Sequence, residues 1–213
     1  MMGAMDVSQQ DYTAARMQLH TVAEWLMAGP QHATSGTIRL EAGNGGIATV
    51  ADPALSVTAA GFTCGDRTLP LRGTVSELAA AAGLPGERPD VEYHDPVPGD
   101  LQTALSASPA AFDAVLRVFD FAADVMDEFS SETATLWPEH FDLGLRDHDV
   151  NYGVSPGDAG QAQPYAYVGP DQVDDNPFWN TSFGAALVID PDDPGCAAKT
   201  LAFFEQGRDA ARR

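Results

Sequence analysis

The chain has 213 residues, 44% of them hydrophobic, and a formal net charge of −20 at pH 7 from 31 acidic and 11 basic residues. This composition is typical of a folded globular protein, and its acidic surface would repel phosphate backbones and anionic lipids, so nucleic acids and membranes are not expected partners. No apolar run approaches the ~18 residues that cross a bilayer, and residues 1–10 lack the basic and apolar segments of a secretory signal, which predicts a cytoplasmic protein.

The first part of the chain predicts a helix, four short strands and a second helix. The first helix is expected over residues 8–28, because apolar side chains recur there at three- and four-residue spacing and Gly29-Pro30 follows. A capping box formed by Thr74 and Glu77 opens the second helix. The strands are expected at 37–40, 47–50, 55–60 and 67–71.

The second part of the chain repeats this succession after a Pro-rich linker at 85–107, in which one short strand at 91–93 is expected. Ser108 and Pro109 form the N-cap and first residue of a strongly apolar helix. Asp193-Pro194 opens the last helix. The strands between these helices are expected at 141–146, 150–154, 164–168 and 183–189.

Both parts therefore follow the order helix, four strands, helix, which predicts an α+β protein with a mainly antiparallel sheet and flanking helices. Residues 38–54 align with 143–159 with one gap, since each segment has a strand, a polar turn, a strand and a corner rich in Pro, Asp and Gly. We hypothesise an internal duplication within a single unit of residues 1–213, with halves 8–84 and 108–212. The alternative is that any two β-hairpins look alike at this level.

Alternation along residues 141–155 separates an apolar from a polar sheet face. Phe141, Leu143 and Leu145 should point to one face, and Gly144 and Gly153 should leave room on the other for a ligand or backbone. The polar residues expected on that second face are His140, Asp142, Arg146, Asn151 and Ser155. The functional interpretation is a site, and the structural interpretation is the solvated face of an antiparallel sheet.

If this face is a site, His140 is the candidate base and Asp142 the residue that orients it, while Arg146 would bind an anionic group. Ser155 to Asp158 form a tight turn in which Asp158 caps the chain and contributes to the site. An aromatic pocket beside it would be lined by Tyr165, Tyr167, Phe178 and Trp179, with Asn180 as a polar contact. Core packing is the alternative role of these aromatics, and the favoured one for Phe178.

A divalent metal is a further option at this place. His20 and Glu24 lie one turn apart on the first helix, and Glu139 and His140 are adjacent in the chain, so the four side chains offer nitrogen and oxygen ligands. The alternative is that His20 flanks the apolar stripe and Glu24 is exposed. No Gly-rich loop of a nucleotide-binding site occurs in the sequence. Cys64 and Cys196 form no CxxC motif and are expected to be free thiols.

Four motifs in the C-terminal half resemble a family of actinobacterial proteins that has no established activity. They are L-W-P-E-H-F-D at 136–142, N-Y-G-V-S-P-G-D at 151–158, P-Y-A-Y-V-G-P at 164–170 and F-W-N-T-S-F-G-A at 178–185. The resemblance implies an actinobacterial source. It assigns no catalytic residue, because the family has no established activity. It implies only that the family pattern includes His20, Glu24, His140, Asp142, Asn151, Asp158 and Trp179.

The sequence thus favours a small-molecule-binding protein or enzyme with a polar and aromatic pocket around His140, using acid–base or metal-assisted chemistry. The alternative is a non-catalytic protein-interaction module whose anchors are the aromatics of residues 165–180. A structural role through homodimerisation is a third option.

Overall fold

The protein is built around one large antiparallel sheet. The computed structural model describes residues 7–91 and 97–212. The strands of the main sheet are β1 (Leu40–Gly43), β2 (Gly46–Thr49), β3 (Leu55–Thr58), β4 (Gly61–Cys64), β5 (Arg67–Leu69), β8 (Thr135–Trp137), β9 (Asp142–Asp147), β10 (Val150–Ser155), β11 (Tyr165–Pro170) and β12 (Ala185–Val188). Their order is β12-β11-β10-β9-β8-β1-β2-β3-β4-β5. A separate two-stranded ribbon pairs β6 (Gly73–Thr74) with β7 (Ala104–Leu105).

The helices cover one face of the main sheet. They are α1 (Gln9–Val22), a π-helical segment (Ala23–Ala28), α2 (Gly29–Ser35), α3 (Val75–Ala82), α4 (Pro109–Phe129) and α5 (Cys196–Ala211). The central helix α4 contacts β1, β2, β9 and β10 as well as α1 and α5, so the core lies between it and the middle of the sheet. The predicted α+β class is therefore confirmed. In the described residues, no helix has the length and apolar character needed to cross a bilayer.

The first helix extends further than the sequence predicted. Gly29-Pro30 does not end it, because the chain widens into the π-helical segment before Pro30 and then continues as α2 to Ser35. The wider turn accommodates the proline ring, which would clash with the preceding carbonyl in a regular α-helix. A Cβ on Gly29 would lie 1.7 Å from the Glu87 carbonyl oxygen, so this glycine permits the close packing of the next chain segment.

The main sheet contains two strands that were not predicted, β4 in the N-terminal half and β8 in the C-terminal half. Each half therefore contributes five strands to the main sheet instead of four. The linker region also contributes β7, whose following amides at Ser106 and Ala107 donate to the Gln18 side chain. The strand expected at 91–93 falls mostly outside the described residues. The halves meet where the first strand of each, β1 and β8, pair antiparallel, and the internal duplication stays a prediction.

The helix-covered face and the opposite face of the sheet differ in chemistry. On the helix-covered face, register brings together buried apolar side chains such as Leu136, Leu143, Tyr152 and Val154. We call the opposite side the open face. Its residues in the N-terminal half are Glu41, Ala48, Ser56, Thr63 and Thr68, which pair across neighbouring strands. All of them are exposed or half-buried.

Both cysteines are free thiols, as predicted. Cys64 is half-buried on β4, and its Sγ lies 3.7 Å from the Ala82 carbonyl at the end of α3. Cys196 is buried at the start of α5, and burial raises the pKa of its thiol. A raised pKa keeps a thiol protonated and poorly reactive, which suits a packing role.

Candidate functional site

The three strands β9, β10 and β11 place the predicted polar residues on the open face. Gly144 pairs with Gly153, and Arg146 pairs with Asn151. On the other side of β10, Gly153 pairs with Tyr167 and Ser155 pairs with Tyr165. The alternation predicted for this region is therefore confirmed within the strands. His140 precedes β9 and is exposed, because the chain turns at Phe141, where φ is +52°.

Tyr167 fills the space left by the two paired glycines. A Cβ on Gly153 would lie 2.2 Å from the Tyr167 ring carbon Cζ, and a Cβ on Gly144 would lie 2.9 Å from the Tyr167 hydroxyl. The ring therefore lies flat across the Gly144–Gly153 pair, where any larger residue would displace it. The close approach expected at these glycines is made by a side chain of the same sheet.

The hydroxyl of Tyr167 contacts the buried carboxyl group of Asp142. It donates a 2.7 Å hydrogen bond to Asp142 Oδ2, while the buried Oδ1 accepts no hydrogen bond within the described part of the chain. Burial raises the pKa of Asp142, and the hydrogen bond from Tyr167 opposes this shift without cancelling it. Burial and the neighbouring carboxyl likewise raise the pKa of Tyr167. Both groups thus favour their neutral, protonated forms.

A second tyrosine–aspartate pair lies next to the first, but the pKa of its carboxyl group is shifted in the opposite direction. The Tyr165 hydroxyl donates a 2.5 Å hydrogen bond to Asp158 Oδ2, and the backbone amides of Gly160 and Gln161 donate to Oδ1. Partial burial raises the pKa of Asp158, but these hydrogen bonds outweigh it and the net pKa is lowered. Asp158 is exposed and favours its ionised form, and its side chain caps the residues that follow it, since Oδ1 accepts from the Gly160 and Gln161 amides.

The 156–158 turn is fixed to the first helix. Tyr12 donates a 2.9 Å hydrogen bond to the Pro156 carbonyl, and Arg16 donates a 3.2 Å hydrogen bond to the Asp158 carbonyl. Ser155 accepts a 3.1 Å hydrogen bond from the Gly157 amide, so its hydroxyl stabilises the turn. Gly157 has φ of +106°, and a Cβ there would meet Arg16 Nη1 at 2.6 Å. This glycine is needed for both the turn and the helix contact.

The structure places His140 and Asp142 close to each other but in different surroundings. The His140 ring is 44% exposed and its Nε2 lies 3.3 Å from Glu139 Oε1, whereas Asp142 is buried under Tyr167. The two are close enough for the His140 charge to lower the pKa of Asp142, although burial remains the larger influence. The partner that determines the geometry of Asp142 is Tyr167.

The residues of the predicted metal site form two pairs on neighbouring segments. His20 stacks on Phe141 and its Nε2 lies 2.7 Å from the Pro138 carbonyl oxygen and 3.5 Å from Glu24 Oε1. Glu24 is fully buried rather than exposed, and it also accepts from the Val97 amide and forms an ion pair with Arg88 at 2.8 Å. Residues 7–91 and 97–212 contain no group of three or more His, Cys, Asp or Glu side chains arranged to hold a metal ion.

Arg146, the candidate anion-binding residue, is already neutralised within the protein. Its guanidinium donates to both carboxylate oxygens of Asp171 at 3.0 and 2.8 Å, and Asp149 lies 3.6 Å away. Its Nη1 also donates to the Asn151 side-chain oxygen at 3.4 Å. This network crosses from β9 to the loop after β11 and builds one rim of the open face.

The predicted aromatic pocket is divided between two places. Tyr165 and Tyr167 lie on the open face, whereas Phe178 and Trp179 pack together next to Phe203 of α5. Phe178 is therefore part of the core periphery, as favoured for it. Trp179 donates from its indole to Asp174 at 2.7 Å. Asn180 bonds both the amide and the carbonyl of Ala186, so it extends the edge of the sheet next to β12.

A shallow groove of about 470 Å³ lies on the open face beside Tyr167. Its walls are Asn151, Tyr167, Gly169, Pro170, Asp171, Val173, Ser182 and Phe183. Val173 and Phe183 are 41% and 48% exposed, which is unusual for such apolar side chains next to a polar network. Neither residue was a predicted site residue, because Val173 lies in a loop without periodicity and Phe183 was expected to begin a strand that in the structure begins at Ala185.

A cleft of about 480 Å³ opens elsewhere, between α1, α4, β12 and the start of α5. The cations at its mouth are already paired, since Lys199 lies 2.6 Å from Asp193 and Arg117 lies 2.8 Å from Asp113. The groove beside Tyr167 has in its wall an aromatic ring whose hydroxyl is fixed by a buried carboxyl group. We therefore place the candidate site on the open face.

No known protein family, curated protein or solved structure matches this chain. The resemblance to an actinobacterial family therefore stays a prediction, and the function must be argued from the geometry of the site.

Proposed function

We propose that this protein binds a small molecule on the open face of its C-terminal half, in the groove beside Tyr167. The observation that supports the proposal is the buried Asp142–Tyr167 pair, whose 2.7 Å hydrogen bond fixes an aromatic ring in the wall of the groove. Burial of a carboxyl group costs folding free energy, and carboxyl groups with a raised pKa are found preferentially at functional sites. The strong negative charge favours small neutral or cationic ligands over nucleic acids.

The chemistry that this site offers is proton donation. Because burial raises the pKa of Asp142, this residue can hold a proton that an exposed carboxyl group would lose, whereas nearby Asp158 stays ionised. Two carboxyl groups with pKa values shifted in opposite directions are the arrangement that acid–base enzymes use. If the ligand is turned over with Asp142 as the acid, the rate should fall as the pH rises through the raised pKa of Asp142.

A ligand screen on the full chain tests the proposal. Wild type, Tyr167→Leu and Asp142→Asn are compared by thermal shift against a panel of neutral, cationic and anionic small molecules, with Thr63→Ala on the other half of the open face as the control. We expect ligands whose stabilisation is reduced in both site variants and unchanged in Thr63→Ala. Ligands that stabilise all four proteins equally, or that bind in the cleft next to α5, would contradict the proposal.

The second candidate is a protein-interaction module. The observation in its favour is the exposure of Phe183, Val173 and Val188, at 48%, 41% and 51%, around the edge strand β12. An interface there would use apolar anchors rather than the Asp142–Tyr167 pair. Phe183→Ser would then abolish partner binding while Tyr167→Leu would leave it intact, whereas ligand binding beside Tyr167 predicts that Tyr167→Leu weakens binding.

A further inference from the structure

Tyr167 has the geometry of a stacking platform. Its ring lies against the backbone of Gly153, because a Cβ there would meet Cζ at 2.2 Å and Cε1 at 2.4 Å. One ring face is therefore covered by the sheet. The side chain is half-buried and lines the groove of about 470 Å³.

The platform is rigid before any ligand arrives. The Tyr167 hydroxyl is held by Asp142 at 2.7 Å, and the neighbouring Tyr165 ring lies 6.3 Å away, centroid to centroid. An aromatic side chain that is already ordered loses little conformational entropy on binding. Such a ring favours ligands that present a flat apolar surface of similar size.

The rim of the groove supplies hydrogen-bonding groups without an uncompensated positive charge. Asn151 accepts from Arg146 through its oxygen, which leaves its amide NH₂ out of that bond, and Ser182 offers a hydroxyl. Asp171 neutralises Arg146 through two hydrogen bonds of 3.0 and 2.8 Å. Together with the net charge of −20, this arrangement disfavours anionic ligands.

We infer that the groove binds a neutral sugar ring, whose apolar C–H face stacks on Tyr167 while its hydroxyl groups bond to Asn151, Asp171 and Ser182. This inference rests on the proposed function and specifies the class of ligand. A flat apolar ring face combined with many hydroxyl groups at the edge is the chemistry of a pyranose, and it matches a fixed aromatic ring with a polar rim. Phe183 and Val173 add apolar side chains to the lining of the same groove.

NMR titration of the ¹⁵N-labelled full chain tests the inference with probes that differ in charge or ring type. The probes are methyl glucoside, galactose and mannose as neutral sugars, glucuronate as the anion, glucosamine as the cation and tyramine as an aromatic amine. We expect a neutral sugar to shift the amide signals of Asn151, Tyr167 and Phe183, and glucuronate to bind at least about tenfold more weakly than the uncharged ring.

Matched variants separate stacking from folding. Tyr167→Phe keeps the ring and should bind sugar within about threefold of wild type, whereas Tyr167→Leu should bind about tenfold more weakly. If Tyr167→Leu does not fold, Phe183→Ala serves instead and should weaken binding, with Tyr165→Phe as the control that does not.

The outcomes distinguish the two proposals. Tyramine binding at these residues without any sugar binding would overturn the sugar inference and leave small-molecule binding in place. If none of the probes, at millimolar concentration, shifts the signals of the groove and the thermal-shift screen also finds no ligand, both proposals fail.

Discussion

The N-terminal and C-terminal halves of the open face are built by the same succession of antiparallel strands, but they carry different side chains. In the N-terminal half, the row Ala48, Ser56 and Thr63 is small and half-buried. In the C-terminal half, the corresponding position in the sheet holds Gly144, Gly153 and the ring of Tyr167. The first pattern is the default of a sheet with one solvated face. The second combines missing side chains, a fixed aromatic ring and a buried acid, which solvation alone does not require.

The two halves of the open face should differ most in the stability that is lost when a substitution adds a methyl group. Gly153→Ala would place its Cβ 2.2 Å from Tyr167 Cζ, so the ring must move and its bond to Asp142 must break. We expect a loss of about 1–3 kcal/mol in the free energy of unfolding, measured by urea denaturation. Ser56→Thr in the N-terminal half also adds one methyl group and should change the free energy of unfolding by no more than about 0.5 kcal/mol. Equal losses of unfolding free energy at the two positions would contradict the close packing of the Tyr167 ring against Gly153.

The next largest effect is expected from the Tyr167 hydroxyl. Tyr167→Phe removes the 2.7 Å hydrogen bond to the buried Asp142 and should cost about 1–2 kcal/mol of unfolding free energy. Tyr165→Phe is the matched control, since it removes a 2.5 Å hydrogen bond to the exposed Asp158, where water can replace the hydroxyl. We expect the control to cost roughly half as much. A larger loss in Tyr165→Phe would contradict the difference in burial.

The pH dependence of stability should distinguish the two aspartates. The pKa of Asp142 is raised in the folded protein, so the folded state binds its proton more tightly, and stability is lost as the pH rises through the folded pKa. Asp142→Asn removes this dependence. The variant should therefore gain stability relative to wild type as the pH rises above the ordinary titration range of a carboxyl group, as followed by thermal unfolding at a series of pH values. A constant difference between variant and wild type would rule out a raised pKa.

The smallest effect, with the opposite sign, is expected at Asp158. The pKa of this carboxyl is lowered, so its contribution to stability is present above the unfolded pKa and is lost as the pH falls through the folded value. Asp158→Asn should thus be slightly less stable than wild type at pH 7, and the two should converge in acid. The effect is small because the group is exposed to solvent. Parallel pH profiles for the Asp142 and Asp158 variants would show that the two pairs are equivalent.

Local signals in the sequence predicted the elements that are held by local contacts. The Ser108 N-cap accepts from the Ala111 amide, and the capping box of Thr74 and Glu77 is complete. By contrast, the short strands β4 and β8 were missed, and β8 also depends on pairing with β1, which is distant in the sequence. The helix end at Pro30 was wrong because a π-helical turn relieves the clash that the sequence rule assumes.

Which residues share a sheet face could be read from the sequence, because side chains alternate along a strand. The acidic net charge and the helix caps could also be read from it. Only the tertiary structure decided which of those residues meet. Tyr167 lies over Gly144 and Gly153 because of the register between β9, β10 and β11, which no local pattern specifies. The burial that raises the pKa of Asp142 is likewise a property of the assembled sheet. The separation of Trp179 from Tyr165 follows from the path of the loop around β12, which depends on long-range packing against α5.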